Sequence, residues 1–413
     1  MRTAVCVDVG STYTKACLVD LDGARLISRA EVATTATTDV LTGLDAAVAG
    51  LGGAGPQYVC SSAGGGLRLA VVGYEALVTA EAGHRAGLSA GAQVVHVAAG
   101  ALTGAAVAAL RAARPDVILL VGGTDGGDRD ALLHNARRLG TARLRVPVVV
   151  AGNAEVRADA AGLLTGRGVP VTVTGNVLPR IGALDPGPAR AAIREVYLRH
   201  VIGGKRLSRG PRFGSLVRAA TPDAVLAGVE LLADRTGAGV LVVDVGGATT
   251  DVYSALVPDP ESASGPGRDV AGTLWRSRTV EGDLGVAISA PATLAAAAAE
   301  GLDTAGEMTD RRLAALAATV ALRRHARGHF PGPGLPRTGG RDLRDVRLVV
   351  GSGGVLRHGG GRYVLDAALG DTAGGWAAPS SARRTIDTNY VLAAAGLLAD
   401  DHPGTAAALL NVL

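Results

Sequence analysis

Asp8, Gly10, Ser11, Thr12 and Lys15 fall within one short stretch, DVGSTYTK, between the apolar runs VCV and ACLVDL. A turn between two strands needs a glycine, but it does not need an acid, three hydroxyls and an ammonium. A phosphate does. Turn amides and hydroxyls form a concavity that suits an oxyanion, and a compact lysine charge meets it as a point cation. The chain holds two lysines, Lys15 and Lys205, against 39 arginines. A lysine retained inside this motif is therefore expected to face a group that a guanidinium does not suit.

The stretch recurs. VCVDVGSTYTKACLVD (5–20) aligns with LVVDVGGATTDVYSAL (241–256), setting Asp244 on Asp8 and Gly246 on Gly10. Gly247, Thr249 and Thr250 supply the matching turn groups. Asp8 and Asp244 would repel a phosphate unless a divalent cation stood between them. Mg²⁺ suits that place because it keeps several waters and needs few carboxylates. Two such aspartates could polarise a water for phosphoryl transfer, which depends mostly on positioning and charge neutralisation. One departure stands out: Asp251 takes the place of Lys15, so only the first copy brings its own cation. A third glycine loop, VVGSGGVL, places Gly351, Gly353 and Gly354 where backbone could approach a nucleotide base or ribose. In VEGDLG, Glu281, Gly282 and Asp283 are expected at the start of a helix, where anions are favoured.

The elements that must carry these groups follow from periodicity. Each DVG motif reads as strand, turn, strand, and two copies suggest two similarly built halves. Between them, 116–175 alternates strand and helix, which implies a parallel sheet with crossover helices. Its GTDGG loop (123–127) is explained by sheet topology, with a second small-molecule site or partner surface as the functional alternative. Helices are expected at 188–200, 223–237, within 279–301, at 311–330 and at 389–401. PDPESASGPGRD (258–269) reads as a surface loop and 331–342 as a Pro/Gly linker.

Composition narrows the classes. At 413 residues and 48% hydrophobic the chain can build more than one core. A net charge of +4, scattered rather than clustered, gives no basis for nucleic-acid binding. Cys6, Cys17 and Cys60 form no CxxC pair and read as core residues of a cytoplasmic protein. No signal peptide or membrane span is expected. His325 and His329 have zinc-ligand spacing but lack a third ligand.

The ordered set DVGSTYTK, DVGGATTD and VVGSGGV resembles the phosphate-1, phosphate-2 and adenosine motifs of the actin/Hsp70/sugar-kinase ATPase superfamily. LAGVELLA (226–233) and VLAAAGLLA (391–399) resemble its two hinge helices. SSAGGGLRLAVVG, ILLVGGTDGGDRDALLHNA, VVVAGNAEV and RTVEGDLGV are similar to the glutamate mutase MutL family, over nearly the whole chain. The resemblance implies an α/β fold of two actin/Hsp70-like (ribonuclease H-like) domains around a nucleotide cleft, with an inserted parallel α/β segment at about 90–200. It implies domains at 1–222 and 223–388, and C-terminal helices at 389–413 returning to the first. It implies ATP and Mg²⁺, with Asp8 and Asp244 as catalytic and metal residues. Gly10, Ser11, Thr12, Lys15, Gly246, Gly247, Thr249, Thr250, Glu281, Gly282, Gly351, Gly353 and Gly354 would bind the cofactor. The implied role is a slow ATPase that reactivates an adenosylcobalamin-dependent mutase, domain closure releasing damaged cobalamin. A homodimer is left open. A small-molecule kinase, with Asp125 or Asp128 as base, and a non-catalytic nucleotide-gated scaffold are the alternatives. Iron–sulfur ligation by Cys6 and Cys17 would resemble the 2-hydroxyacyl-CoA dehydratase activators.

Overall fold

The computed structural model describes residues 1–63, 67–90, 92–202, 207–257, 275–328 and 340–413. Lys205, His329, the 258–269 loop and most of the 331–342 linker lie outside the described residues. The chain divides into two compact units. Of the described residues, the first comprises 1–63, 221–257 and 275–413, and the second falls within 64–220.

The first unit contains two sheets of one design. Strands β1 (Thr3–Val9), β2 (Tyr13–Asp20), β3 (Arg25–Ala33) and β4 (Gln57–Ser61) lie in the order β4-β1-β2-β3. β1, β2 and β3 form an antiparallel meander, and β4 joins β1 in parallel. The same arrangement is built by β11 (Gly239–Val245), β12 (Thr250–Ala255), β13 (Arg276–Glu281), β14 (Val346–Ser352) and β15 (Arg383–Ile386). There the order is β13-β12-β11-β14-β15, with β14 parallel to β11 and β15 parallel to β14. Val5, Val7 and Val9, like Val242, Val243 and Val245, are buried. Each DVG turn thus emerges at the end of a central, water-excluded strand, which fixes its position.

Two helices cross in this unit, Thr221–Thr236 and Val391–Leu398. A Cβ on Gly228 would lie 2.2 Å from the Leu392 carbonyl oxygen, and one on Gly396 1.8 Å from that of Ala224. Only glycine permits backbones to approach so closely. Sequence placed hinge-like helices here, and the small residues are what let them touch.

The second unit holds a parallel sheet of β5 (Arg68–Val72), β6 (Gln93–Ala98), β7 (Val117–Leu120), β8 (Val148–Val150) and β9 (Val171–Val173), ordered β6-β5-β7-β8-β9. Its core joins Ile118, Leu120, Val148 and Val150 to Leu132, Leu139 and Leu164 of the crossover helices Asp130–Ala142 and Arg157–Thr165. A short strand, β10 (Val217–Ala220), follows. The inserted segment was expected from about 90, but Arg68–Val72 already belongs to its sheet. The glycine-rich approach to that strand hides its start from pattern reading.

Candidate nucleotide site

The two hairpins close in the same way. Gly10 N donates to Tyr13 O at 3.0 Å, and Gly246 N donates to Thr249 O at 2.9 Å. Ladder register then sets Asp8 opposite Lys15 and Asp244 opposite Asp251. The aligned positions of the repeat are therefore cross-strand pairs, whose side chains share one face.

At the first hairpin, Lys15 Nζ lies 4.0 Å from Asp8 Oδ2. Thr221 Oγ1 donates to Asp8 Oδ1 at 2.5 Å, and Cys60 Sγ lies 3.7 Å from the same oxygen. Burial opposes the Lys15 ammonium, but Asp8, Tyr390, Asp244 and Glu31 outweigh it and raise its pKa. Ser11 and Thr12 stand exposed at the apex, whereas Thr14 is buried and shares a hydrogen bond with Thr34 at 3.0 Å.

At the second hairpin, burial drives the Asp244 pKa up to about 6. Lys15 pulls it down, Asp251 and Asp8 push it up, and a hydrogen bond from Ser352 lowers it. Asp251 is held by Arg278 at 2.8 Å, and Arg278 also lies 5.5 Å from the centroid of the Tyr253 ring. The cation that the repeat lacks thus comes from β13, but it is spent on Asp251. The structure brings Asp8, Lys15, Asp244 and Asp251 into one electrostatic cluster. Its donor set, two carboxylates facing one ammonium, suits a hydrated Mg²⁺ carried by a polyphosphate. Among the described residues no group of three or more His, Cys, Asp or Glu could hold a metal directly.

The segment after β13 differs from the sequence expectation. Glu281 ends a strand opposite Thr250, and the next helix begins only at Ala290. The intervening loop is tied to the turn: Val286 N reaches Gly246 O at 3.1 Å, while Ala287 N and Ile288 N reach Gly247 O at 2.9 and 2.8 Å. Those bonds tie the loop, a run of turns and bends, to the hairpin, and the helix starts only beyond it. The expected helix N-terminus at Glu281, Gly282 and Asp283 is therefore absent. Arg324 instead clamps Glu281 at 2.6 Å and Asp283 at 2.8 Å. Gly282 is exposed, Thr249 partly so. Thr250 is buried and its hydroxyl donates to Leu284 O at 3.0 Å, which makes it a brace for the turn.

The third glycine loop abuts the second hairpin. Gly353 has φ +101°, and a Cβ there would lie 2.1 Å from Val245 O. Gly351 is buried against Leu356 and Ile386, and Gly354 is exposed. Of the three, Gly354 alone presents open backbone.

Sequence reading missed Thr221, Ser352, Arg278, Arg357 and Tyr390. Thr221, Arg357 and Tyr390 lie outside the motifs, so no local pattern marks them, whereas Ser352 stands inside VVGSGGVL and Arg278 opens RTVEGDLGV. Lys15 Nζ lies 4.0 Å from the Tyr390 ring centroid, and the Arg357 guanidinium carbon lies 3.9 Å from the same centroid. Tyr390 itself has φ +56°. Asp387 accepts from Val391 N and Leu392 N at 2.9 and 3.1 Å, which anchors the helix that follows.

Other candidates have local roles. Asp125 accepts from Ala154 N and Asn176 Nδ2, and Asp128 accepts from Asp130 N and Ala131 N. Cys6 and Cys17 are buried cross-strand neighbours, and burial pushes the Cys17 thiol up to about 12, away from a ligating thiolate. His325 is buried between Thr279 and Ser254, with its pKa pushed down to about 3 by burial and by Arg341. No helix among the described residues is long and apolar enough to cross a membrane.

Two sheets sharing the meander-plus-parallel-strand order, each ending in a DVG turn, define the actin/Hsp70-like, ribonuclease H-like class. The chain matches the family described as MutL protein over residues 4–308 and 303–412. It is 33% identical to Protein MutL of Clostridium tetanomorphum, covering 100% of this chain and 99% of that one. The chain belongs to the MutL protein family. Solved structures similar to it include component A of (R)-2-hydroxyglutaryl-CoA dehydratase from Acidaminococcus fermentans, 10% identical with a TM-score of 0.31 over 99% of this chain and 97% of that chain. Another is the ATP-dependent caprolactamase of Pseudomonas jessenii, 13% identical with a TM-score of 0.35 over 88% and 67%. At these scores the likeness adds nothing to the fold, which strand order and register define.

Proposed function

We propose that this chain binds and slowly hydrolyses ATP with Mg²⁺, and that it serves as a reactivating accessory protein of an adenosylcobalamin-dependent mutase. The observation that carries the nucleotide reading is the convergence of Asp8, Lys15 and Asp244 at the ends of two equivalent hairpins. Lys15 would meet a phosphate oxygen, and the exposed Ser11 and Thr12 would donate to its neighbours. Asp8 and Asp244 would hold the waters of Mg²⁺, which supplies charge neutralisation for the polyphosphate. Thr221 and Ser352 would keep the two carboxylates oriented, a positioning role. The mutase partner and the coupling of domain closure to release of damaged cobalamin rest on the MutL resemblance. Family membership supports that assignment, as do the two hinge helices packed through Gly228 and Gly396. A cytoplasmic location is part of the same proposal.

Calorimetry with ATP in the presence and absence of Mg²⁺ tests the nucleotide reading. Binding that needs Mg²⁺, with slow turnover lost in Asp244→Ala, is expected; absence of ATP binding overturns it. Rapid phosphorylation of a metabolite would favour the kinase reading. A pull-down of purified mutase subunits with and without ATP then tests the partner.

A further inference from the structure

Behind Lys15, on the face of β2 and β3, lies a cavity of about 310 Å³ bounded also by residues 357–358 and 388–390. Register explains its wall: Lys15 pairs with Glu31 and Cys17 with Arg29, so these side chains alternate onto one face. The lining carries three cations, Lys15, Arg29 and Arg357, against one carboxylate, Glu31. Arg357 pairs with Glu31 at 2.5 Å. Arg29 Nη1 donates to Thr388 O at 2.5 Å and to Asn389 Oδ1 at 3.1 Å. Lys15 stands beside Asp8 and Arg357 beside Glu31, whereas among the described residues no carboxylate pairs with Arg29, so the wall keeps a positive excess at neutral pH.

A second observation points the same way. The Arg357 side chain is only 8% exposed, and its Nε–H is buried with no hydrogen-bond partner. A buried, unsatisfied guanidinium donor is costly, and native structures seldom leave one. An acceptor oxygen in the cavity would satisfy it. Tyr390, held in the left-handed region between Lys15 and Arg357, supplies a rigid floor. Strain of that kind concentrates at functional sites.

We propose that this cavity binds a small dianion, of the class of inorganic phosphate or a short dicarboxylate, through Arg29 and the Arg357 Nε–H. Lys15 completes the charge balance. The volume exceeds one phosphate and matches the small end of ligand sites, which leaves room for a few carbons. The cavity shares Lys15 with the nucleotide reading and adds Arg29, which no step of that reading uses, so Arg29 is the residue that tells the two apart.

The full chain without nucleotide is titrated by calorimetry with inorganic phosphate, succinate and acetate at constant ionic strength. Saturable binding of phosphate or succinate is expected, with acetate weaker, and the stronger dianion identifies the ligand source. Arg29→Gln and Arg357→Gln should each weaken that binding about tenfold or more, the scale of a lost charged hydrogen bond. ATP affinity in Arg29→Gln should be unchanged, which separates this site from the hairpins. No saturable dianion binding, or equal affinity in Arg29→Gln and wild type, overturns the proposal. Phosphate binding that survives Arg29→Gln but disappears in Asp244→Ala belongs to the hairpins and also overturns it. Should Arg357→Gln fail to fold, Arg29→Gln at the cavity rim carries the test alone.

Discussion

Across the ladder from Asp8 stands Lys15; across from Asp244 stands Asp251. The two hairpins share strand order, turn length and the glycine amide closure, yet their charges are opposite at that one place. The first is open at its apex, with Ser11 and Thr12 exposed. The second is braced from outside, its turn carbonyls taken by residues 286–288 and its Thr250 hydroxyl by Leu284. Arg278 offsets part of the burial that still raises the Asp251 pKa, while Asp244, without such a partner on its own sheet, is pushed up to about 6. One backbone design therefore yields a cationic, adaptable jaw and an acidic, rigid one. Duplication supplied the geometry, and the neighbours of each copy supplied the chemistry.

The largest test removes the acids that the two hairpins share. Asp8→Asn and Asp244→Asn should each lower ATP turnover by about 10²–10³, the scale of losing one preorganised electrostatic group. Steady-state phosphate release measures it, and near-wild-type turnover in either variant would break the equivalence of the copies. Next comes the compensation at the second hairpin. Arg278→Met leaves Asp251 without its partner, and breaking a buried pair on one side costs about 3–5 kcal/mol. Urea denaturation should show that loss, and Asp251→Asn in the same chain should recover part of it.

The third test is pH. The Asp244 pKa is about 6 in the folded protein against an ordinary 3.8. Its protonation therefore stabilises the nucleotide-free fold, a contribution complete below about pH 3.8 and lost as pH rises through about 6. The melting temperature of Asp244→Asn relative to wild type should accordingly climb between pH 5 and pH 7. ATP affinity should rise over the same range, falling as pH drops through about 6. A flat difference would mean that Lys15 already keeps Asp244 ionised. Lys15→Arg should weaken ATP roughly tenfold, because a planar fork replaces a compact ammonium that also rests on Tyr390. The smallest effect belongs to Thr221→Val, which removes one hydrogen bond to Asp8 and should cost about 1 kcal/mol of stability.

Much of this was legible in the chain. Alternating apolar residues around DVG predicted both hairpins, and the 116–175 alternation predicted the parallel sheet. Small residues at 226–233 and 391–399 pointed to close helices. The reading faltered at VEGDLG, where acids before an alanine run looked like a helix start. Pairing with β12 kept Arg276–Glu281 extended, and bonds to Gly246 and Gly247 held the loop beyond it. It also missed β15, a short strand at the sheet edge beside β14, and the early strand Arg68–Val72, which pairs with β6 and β7 from further along the chain.

By itself the sequence determined the repeated turn, its glycines, its acids and the single lysine, because local sterics and periodicity act within a few residues. Tertiary structure alone decided that Thr221 would hold Asp8, that Ser352 would hold Asp244, and that Arg278 would neutralise Asp251. It alone decided that Arg357 and Tyr390 would stand behind Lys15. Electrostatic fate depends on which groups burial brings within a few ångströms, and those groups come from positions up to hundreds of residues away.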